Sequence, residues 1–132
     1  MKPQPAEIVR EYGPFDGAPP IHGVTHDGRH VWAATGAKLL AFEPGTGEVT
    51  RLTDSPDDQK AWSWHPSGRF LVFRAARPAT GLDLMILPME GDATRGWTPG
   101  TPTVFLSTPA FEGGPIFSPD GRWIAYFSNE AG

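Results

Sequence analysis

The sequence predicts an all-β chain built from repeated four-stranded antiparallel units, and three observations carry that prediction. A strand–turn–strand segment recurs three times along the 132 residues. Gly (16) and Pro (15) fall at intervals between short apolar runs, which is the spacing of many turns rather than of a low-complexity tail. No window of about a dozen residues keeps a 3.6-residue apolar period without a Pro or Gly interruption, so no helix is expected.

The recurring segments are Gly23–Trp32, Ser63–Val72 and Ile116–Ala125, aligned on Gly28, Gly68 and Gly121, each of which is followed by Arg. A tight hairpin needs positive φ at such a position, and Gly adopts it without a steric cost. Asp27, Ser67 and Asp120 stand just before the glycines, where a short polar side chain can bond the turn backbone.

Taken in order, an outer strand is expected over 6–12, Ala6 to Tyr12. A first unit, 21–53, follows its hairpin with strands at Lys38–Pro44 and Glu48–Thr53, parted by the turn Gly45-Thr46-Gly47. A second unit, 60–108, continues with Asp83–Pro88 and Pro102–Ser107, and a Gly/Pro/Thr-rich insertion from Gly91 to Gly100 carries Trp97. A half unit, 113–129, ends the chain. The turn glycines lie 40 and then 53 residues apart, close to the period of about 40–50 residues of β-propeller blades. The fold expected is therefore a partial β-propeller of about two and a half four-stranded blades, where propellers use roughly four to eight. Exposed faces and edge strands would favour association. A two-fold dimer would close six blades, each C-terminal hairpin being completed by the partner's N-terminal strand.

Two family resemblances attach to these residues. Phe111–Glu130, with its core Ser118-Pro119-Asp120-Gly121-Arg122-Trp123-Ile124-Ala125-Tyr126, resembles the TolB-like propeller repeat, and Trp64–Phe73 looks like a degraded copy. That repeat is common beside bacterial serine/threonine kinase domains and in prolyl-oligopeptidase-type propellers. Ile21–Gly36 and the continuation Leu40–Val49 look more like blades of virginiamycin-B-lyase-like propellers. Both resemblances imply a propeller. Neither places a family catalytic residue on this chain.

Composition narrows the function. The net charge of −4, spread without blocks, argues against nucleic acid or a basic membrane face. With no cysteine, disulfides, thiolate catalysis and zinc–thiolate sites are excluded. Met1–Glu7 has no apolar signal core, and no run approaches the roughly 20 apolar residues of a membrane helix. A cytoplasmic location is expected on that ground, with periplasm and secretion left open.

The candidate site residues are His22, Asp57, Asp58 and Glu112. His22 precedes the first inner strand, at the mouth of the expected channel. Asp57 and Asp58 belong to the acidic loop Asp54–Lys60 that enters the second blade, and Glu112 holds the matching place before the third. Several carboxylates on that face could hold a divalent cation such as Ca²⁺, a hard ion served by oxygen ligands. His26 is placed in the first hairpin turn, level with Pro66 and Pro119. On a strand His22 and His26 stand more than about 10 Å apart, so together they make no metal pair. Trp62 and Trp64, two apart on a strand, are expected to point to one face and serve blade packing. Ser63, Ser67, Ser118 and Ser128 lack a Gly-x-Ser-x-Gly setting, which speaks against a nucleophilic triad.

These readings favour a non-enzymatic, self-associating binding or scaffold propeller presenting its upper loops to a protein, peptide or small ligand. The alternatives are a small metal-assisted lyase or hydrolase acting in the channel, or a propeller fragment with no independent function.

Overall fold

Residues 20–26, 31–92 and 94–130 are described by the computed structural model, and at His22, Gly23 and His26 the backbone alone. The strand expected over 6–12 and the turn glycine Gly28 lie outside these residues. Among the described residues every regular element is a β-strand, paired antiparallel, and there is no helix.

The first sheet is a meander of β1 (Ile21–His26), β2 (Val31–Thr35), β3 (Lys38–Phe42) and β4 (Val49–Arg51), neighbours in that order. Period-2 alternation puts Trp32 and Ala34 of β2 on the buried face, opposite Ala41 and Leu39 of β3. Each large side chain thus faces a small one across the strands, which fills the layer without a clash. The turn into β4 is closed by Glu43, whose carbonyl accepts from the Gly47 N–H at 2.8 Å.

The second sheet is larger. β5 (Asp58–Trp64), β6 (Phe70–Arg77) and β7 (Gly81–Asp92) form a meander, and β9 (Thr103–Leu106) pairs β7 on its far side. Leu71, Val72 and Phe73 are consecutive and all buried, as are Leu84 and Met85. Consecutive burial means that both faces of the sheet are covered. Between β7 and β9 the insertion is not a loop. It forms β8 (Gly96–Pro99), which pairs back onto Met89–Asp92 at the end of an overlong β7. Gly, Pro and Thr there concealed a hairpin, because the strand signal of β7 runs through Pro88, Met89 and Glu90 without apolar alternation.

A two-stranded hairpin, β10 (Glu112–Phe117) with β11 (Ile124–Ser128), completes the description. β5 is in contact with both other leading strands, β1 and β10, which do not touch each other. Each of the three also breaks register once, at His22, at Trp62 and at Gly114–Pro115.

Two expectations are corrected by this pairing. His26 is no turn residue; it pairs with Val31 at the end of β1. In the other hairpins the pairs closing the turn are His65 with Phe70 and Ser118 with Trp123, so His26 is level with His65 and Ser118. The ladder, which follows strand-forming residues on both sides, is one residue out of step with the glycine alignment. Likewise Trp62 and Trp64 do not act together. The register break at Trp62 separates them: Lys60 Nζ sits 4.8 Å from the Trp62 ring, whereas Trp64 stacks on Trp32.

That stack joins the first two sheets. The Trp32 and Trp64 centroids are 4.2 Å apart with planes 18° from parallel, and Trp97 of β8 meets Trp64 edge-on at 5.9 Å. The turn glycine Gly68 has φ of 73°, and a Cβ there would sit 2.9 Å from the Trp97 ring. Gly is needed at that place twice over.

The second and third sheets meet through polar and aromatic contacts. The Phe117 N–H donates to Ser63 Oγ at 3.2 Å, and His65 lies edge-on to Phe117 at 4.9 Å. His65 Nδ1 accepts the Ser67 N–H at 3.0 Å, which leaves the proton on Nε2 to donate to the Gly121 carbonyl at 3.1 Å. The turn of the third hairpin is held by Asp120, which accepts from Ser118 Oγ and from the Arg122 N–H. The Ser118 hydroxyl bond and then the Arg122 N–H hold the Asp120 carboxyl below the ordinary aspartate range.

Two outcomes follow. Trp64→Ala removes the stack and opens a cavity in the main core, and should cost about 3–5 kcal/mol in a chemical-denaturation experiment. An NMR titration of Asp120 should show a midpoint below that of an unstructured aspartate, rising in Ser118→Ala. Because this folded-state value is depressed, the turn's stabilisation is present above the ordinary aspartate pKa. It is lost as pH falls through the folded value.

Candidate functional site

The leading strands β1, β5 and β10 all begin at one end of the sheets, together with the β2–β3 and β6–β7 turns. A backbone bond fixes this alignment: the Gln59 N–H donates to the carbonyl of Gly36, in the β2–β3 turn, at 2.8 Å. The residues singled out by sequence therefore sit at this end, but they do not share one environment.

Asp58 is exposed where β5 starts, paired with Ala76 across the ladder. Asp57 is half-buried in the preceding loop, and its backbone N–H is capped by Ser55 Oγ at 3.1 Å. His22 lies at the register break of β1. Glu112 differs from all of these, being wholly buried at the head of β10. Its Oε1 accepts a bond from the Thr108 hydroxyl, while Oε2 has no hydrogen-bond partner. Among the described residues no three of His, Asp and Glu are grouped so as to hold a metal ion.

Sequence reasoning missed the equivalence of Glu112 with Gln59. Gln59 stands five residues before Trp64 and pairs with Ala75; Glu112 stands five before Phe117 and pairs with Ser128. Both are buried, and each accepts a threonine hydroxyl from the loop before its strand, Thr53 at 2.5 Å in the case of Gln59. Thr53 Oγ1 accepts in turn from the Leu39 N–H at 3.2 Å, so this bond reaches back into the first sheet. The recurrence of Thr a few residues ahead of Gln or Glu was a signal available in the sequence. Asp83 was missed too. Wholly buried in β7, it accepts from Thr80 Oγ1 at 2.7 Å and meets Arg77 at 3.3 Å, which clamps the β6–β7 turn, and its Oδ1 has no partner.

Beside Asp57 the loop that joins the first sheet to the second borders a cleft of about 490 Å³. Its floor is Phe73, Ala75 and Met85, on the face of the second sheet that fronts the first. One wall is the loop from Leu52 to Asp57; the other is Gly100–Pro102 with Val104. The size falls within the roughly 300–1,000 Å³ of small-ligand sites. A smaller cleft of about 290 Å³ opens over Trp97, with Glu48 and Arg95 bringing opposite charges to its lip. No helix of the described residues is long and apolar enough to cross a membrane.

Comparison with known proteins gives no match. No family model fits the chain, and no curated protein or solved structure resembles it.

Burying a carboxylate with one oxygen unsatisfied is costly, and a neutral amide in the same place costs less. Glu112→Gln, which copies the residue at the equivalent place in β5, should therefore raise the thermal midpoint, by about 1 kcal/mol of stability. Thr108→Val, which removes the donor to Oε1, should lower it. Thermal melts of the two variants check both signs.

Proposed function

We propose that this chain is an arc of a β-propeller, working as a non-enzymatic, self-associating binding module that presents the loops entering its inner strands. The observation that carries this reading is the side-by-side order of β1, β5 and β10. The first strands make the most extensive contacts between units, although β2 and β3 also reach β5 and β10 also reaches β6 and β7, and within each unit the later strands follow in sequence order apart from the β8 insertion. That is the arrangement of blades about an axis. The common register break in the three strands fits the same reading, since a bulge adds the twist that turns one blade relative to the next. The TolB-like resemblance of 111–130 and the lyase-like resemblance of 21–49 point the same way.

Self-association is supported by what the outer units leave uncovered. Ile21 and Val24 of β1 are half exposed or more, and so are Ile116, Trp123 and Phe127 around the last hairpin, Trp123 at 70%. In the second sheet, which has a neighbour on each side, residues of β6 and β7 that face either neighbour are buried. The outer faces thus carry the apolar surface that a further unit of the same kind would cover. A second copy supplies such a unit at both ends, the last hairpin of each chain lying against the first sheet of the other.

The mass in solution tests this. Light scattering should give twice the 14.3 kDa of one chain, and the double variant Ile116→Asp, Trp123→Asp should reduce it to one. A single-chain mass with cooperative unfolding overturns self-association.

A further inference from the structure

We propose that the cleft beside Asp57, between the 52–57 loop and the second sheet, is a binding site for a small organic cation, an apolar body carrying a protonated amine or guanidinium. The inference goes beyond the propeller reading and does not depend on closure, because every wall of the cleft belongs to one chain.

The charges around the cleft decide the sign of the ligand. Asp54 is bound to Arg51 at 2.6 Å, and Arg77 to the buried Asp83 at 3.3 Å. Both pairs are therefore spent within the protein. Asp57 has no cation and no hydrogen-bond donor on its carboxylate among the described residues. It is half-buried at the lip of the cleft, where partial desolvation strengthens an ion pair beyond what an exposed one offers. One net negative charge is left at the mouth.

The wall decides the body of the ligand. Val104, 49% exposed, and the half-buried Pro102 offer apolar surface beside Phe73, Ala75 and Met85, which are packed into the core and at most 8% exposed. A ring or branched alkyl group laid on them would exclude water from the Asp57 contact. Polar groups that fix orientation are at hand in the side chains of Ser55 and Thr101, which also line the cleft. A neutral analogue would keep the wall and lose the ion pair. An anionic analogue would meet the Asp57 charge head-on.

The test uses three probes of one shape, phenethylamine, 2-phenylethanol and phenylacetate, titrated into the full chain and followed by amide NMR. Phenethylamine should give saturable shifts confined to residues 52–57, 73–77 and 101–104. The alcohol should bind about tenfold more weakly, as expected for a hydrogen bond to a charged group, and phenylacetate should not bind. Asp57→Asn should weaken phenethylamine by a similar factor, while Glu130→Gln, exposed and outside the cleft lining, should leave it unchanged. Equal binding of the three probes, an unaltered affinity in Asp57→Asn, shifts located elsewhere, or no saturable shift at all would each overturn the proposal. None of these readouts depends on the mass measured by light scattering, so the two proposals fail separately.

Discussion

Burial of the second sheet on both faces is the constraint on which the rest of the structure depends. A single antiparallel sheet of this size has one face to spare, yet Leu71, Val72 and Phe73 give it none. Trp64 and Trp97 need the first sheet and its Trp32; Ser63 and His65 need β10. The neighbours are thus held in place by the needs of the middle. The two junctions differ in kind. The first is a stacked and edge-on indole cluster, worth its buried area plus roughly 0.5–1.5 kcal/mol for each ring pair. The second rests on hydrogen bonds, the His65 ring and Arg74 lying 5.7 Å from the Phe111 ring, and is the one expected to open first.

The buried polar groups repeat along the chain with the sheets. Thr53 with Gln59 and Thr108 with Glu112 are one device used twice, a hydroxyl from the incoming loop bonded to a side chain at the head of the inner strand. In the first instance the bond also reaches the backbone of β3, tying loop, old sheet and new sheet at one point. Such bonds add modest net stability but specify geometry, because a misplaced loop would leave both groups buried and unpaired.

Much of this was legible in the sequence, and the failures have physical causes. The turn glycines Gly68 and Gly121 take the positive φ their motif implied, and Asp120 and Ser67 bond the turns as their types suggest. The strands at Lys38–Phe42, Val49–Arg51 and Thr103–Leu106 fall within the expected runs. The β7–β8 hairpin was concealed because Pro88, Gly91 and Gly96 read as breakers, although pairing at the end of a long strand tolerates them. His26 was misplaced because the glycines were aligned where the ladder should have been. The candidate residues lie at one end of the strands, but burial is a tertiary property. Nothing local told Glu112, sealed beneath Thr108, from Asp58 in solvent, and the cleft beside Asp57 exists only because the 52–57 loop, the second sheet and the 100–104 segment come together.

The two outer faces are unlike. One offers the aliphatic side chains of β1, the other the aromatic group around Trp123 and Phe127. If copies of the chain joined through two such unlike faces, they would join head to tail, and each added copy would present the same free end as the last. Whether growth stops is then a matter of angle. If one chain turns through half a circle, two copies consume both ends; if it falls short or overshoots with any rise along the axis, the same contacts continue as a helical filament. The register breaks in β1, β5 and β10 add local twist to each leading strand, and through that angle they would bear on the particle's size as well as its shape.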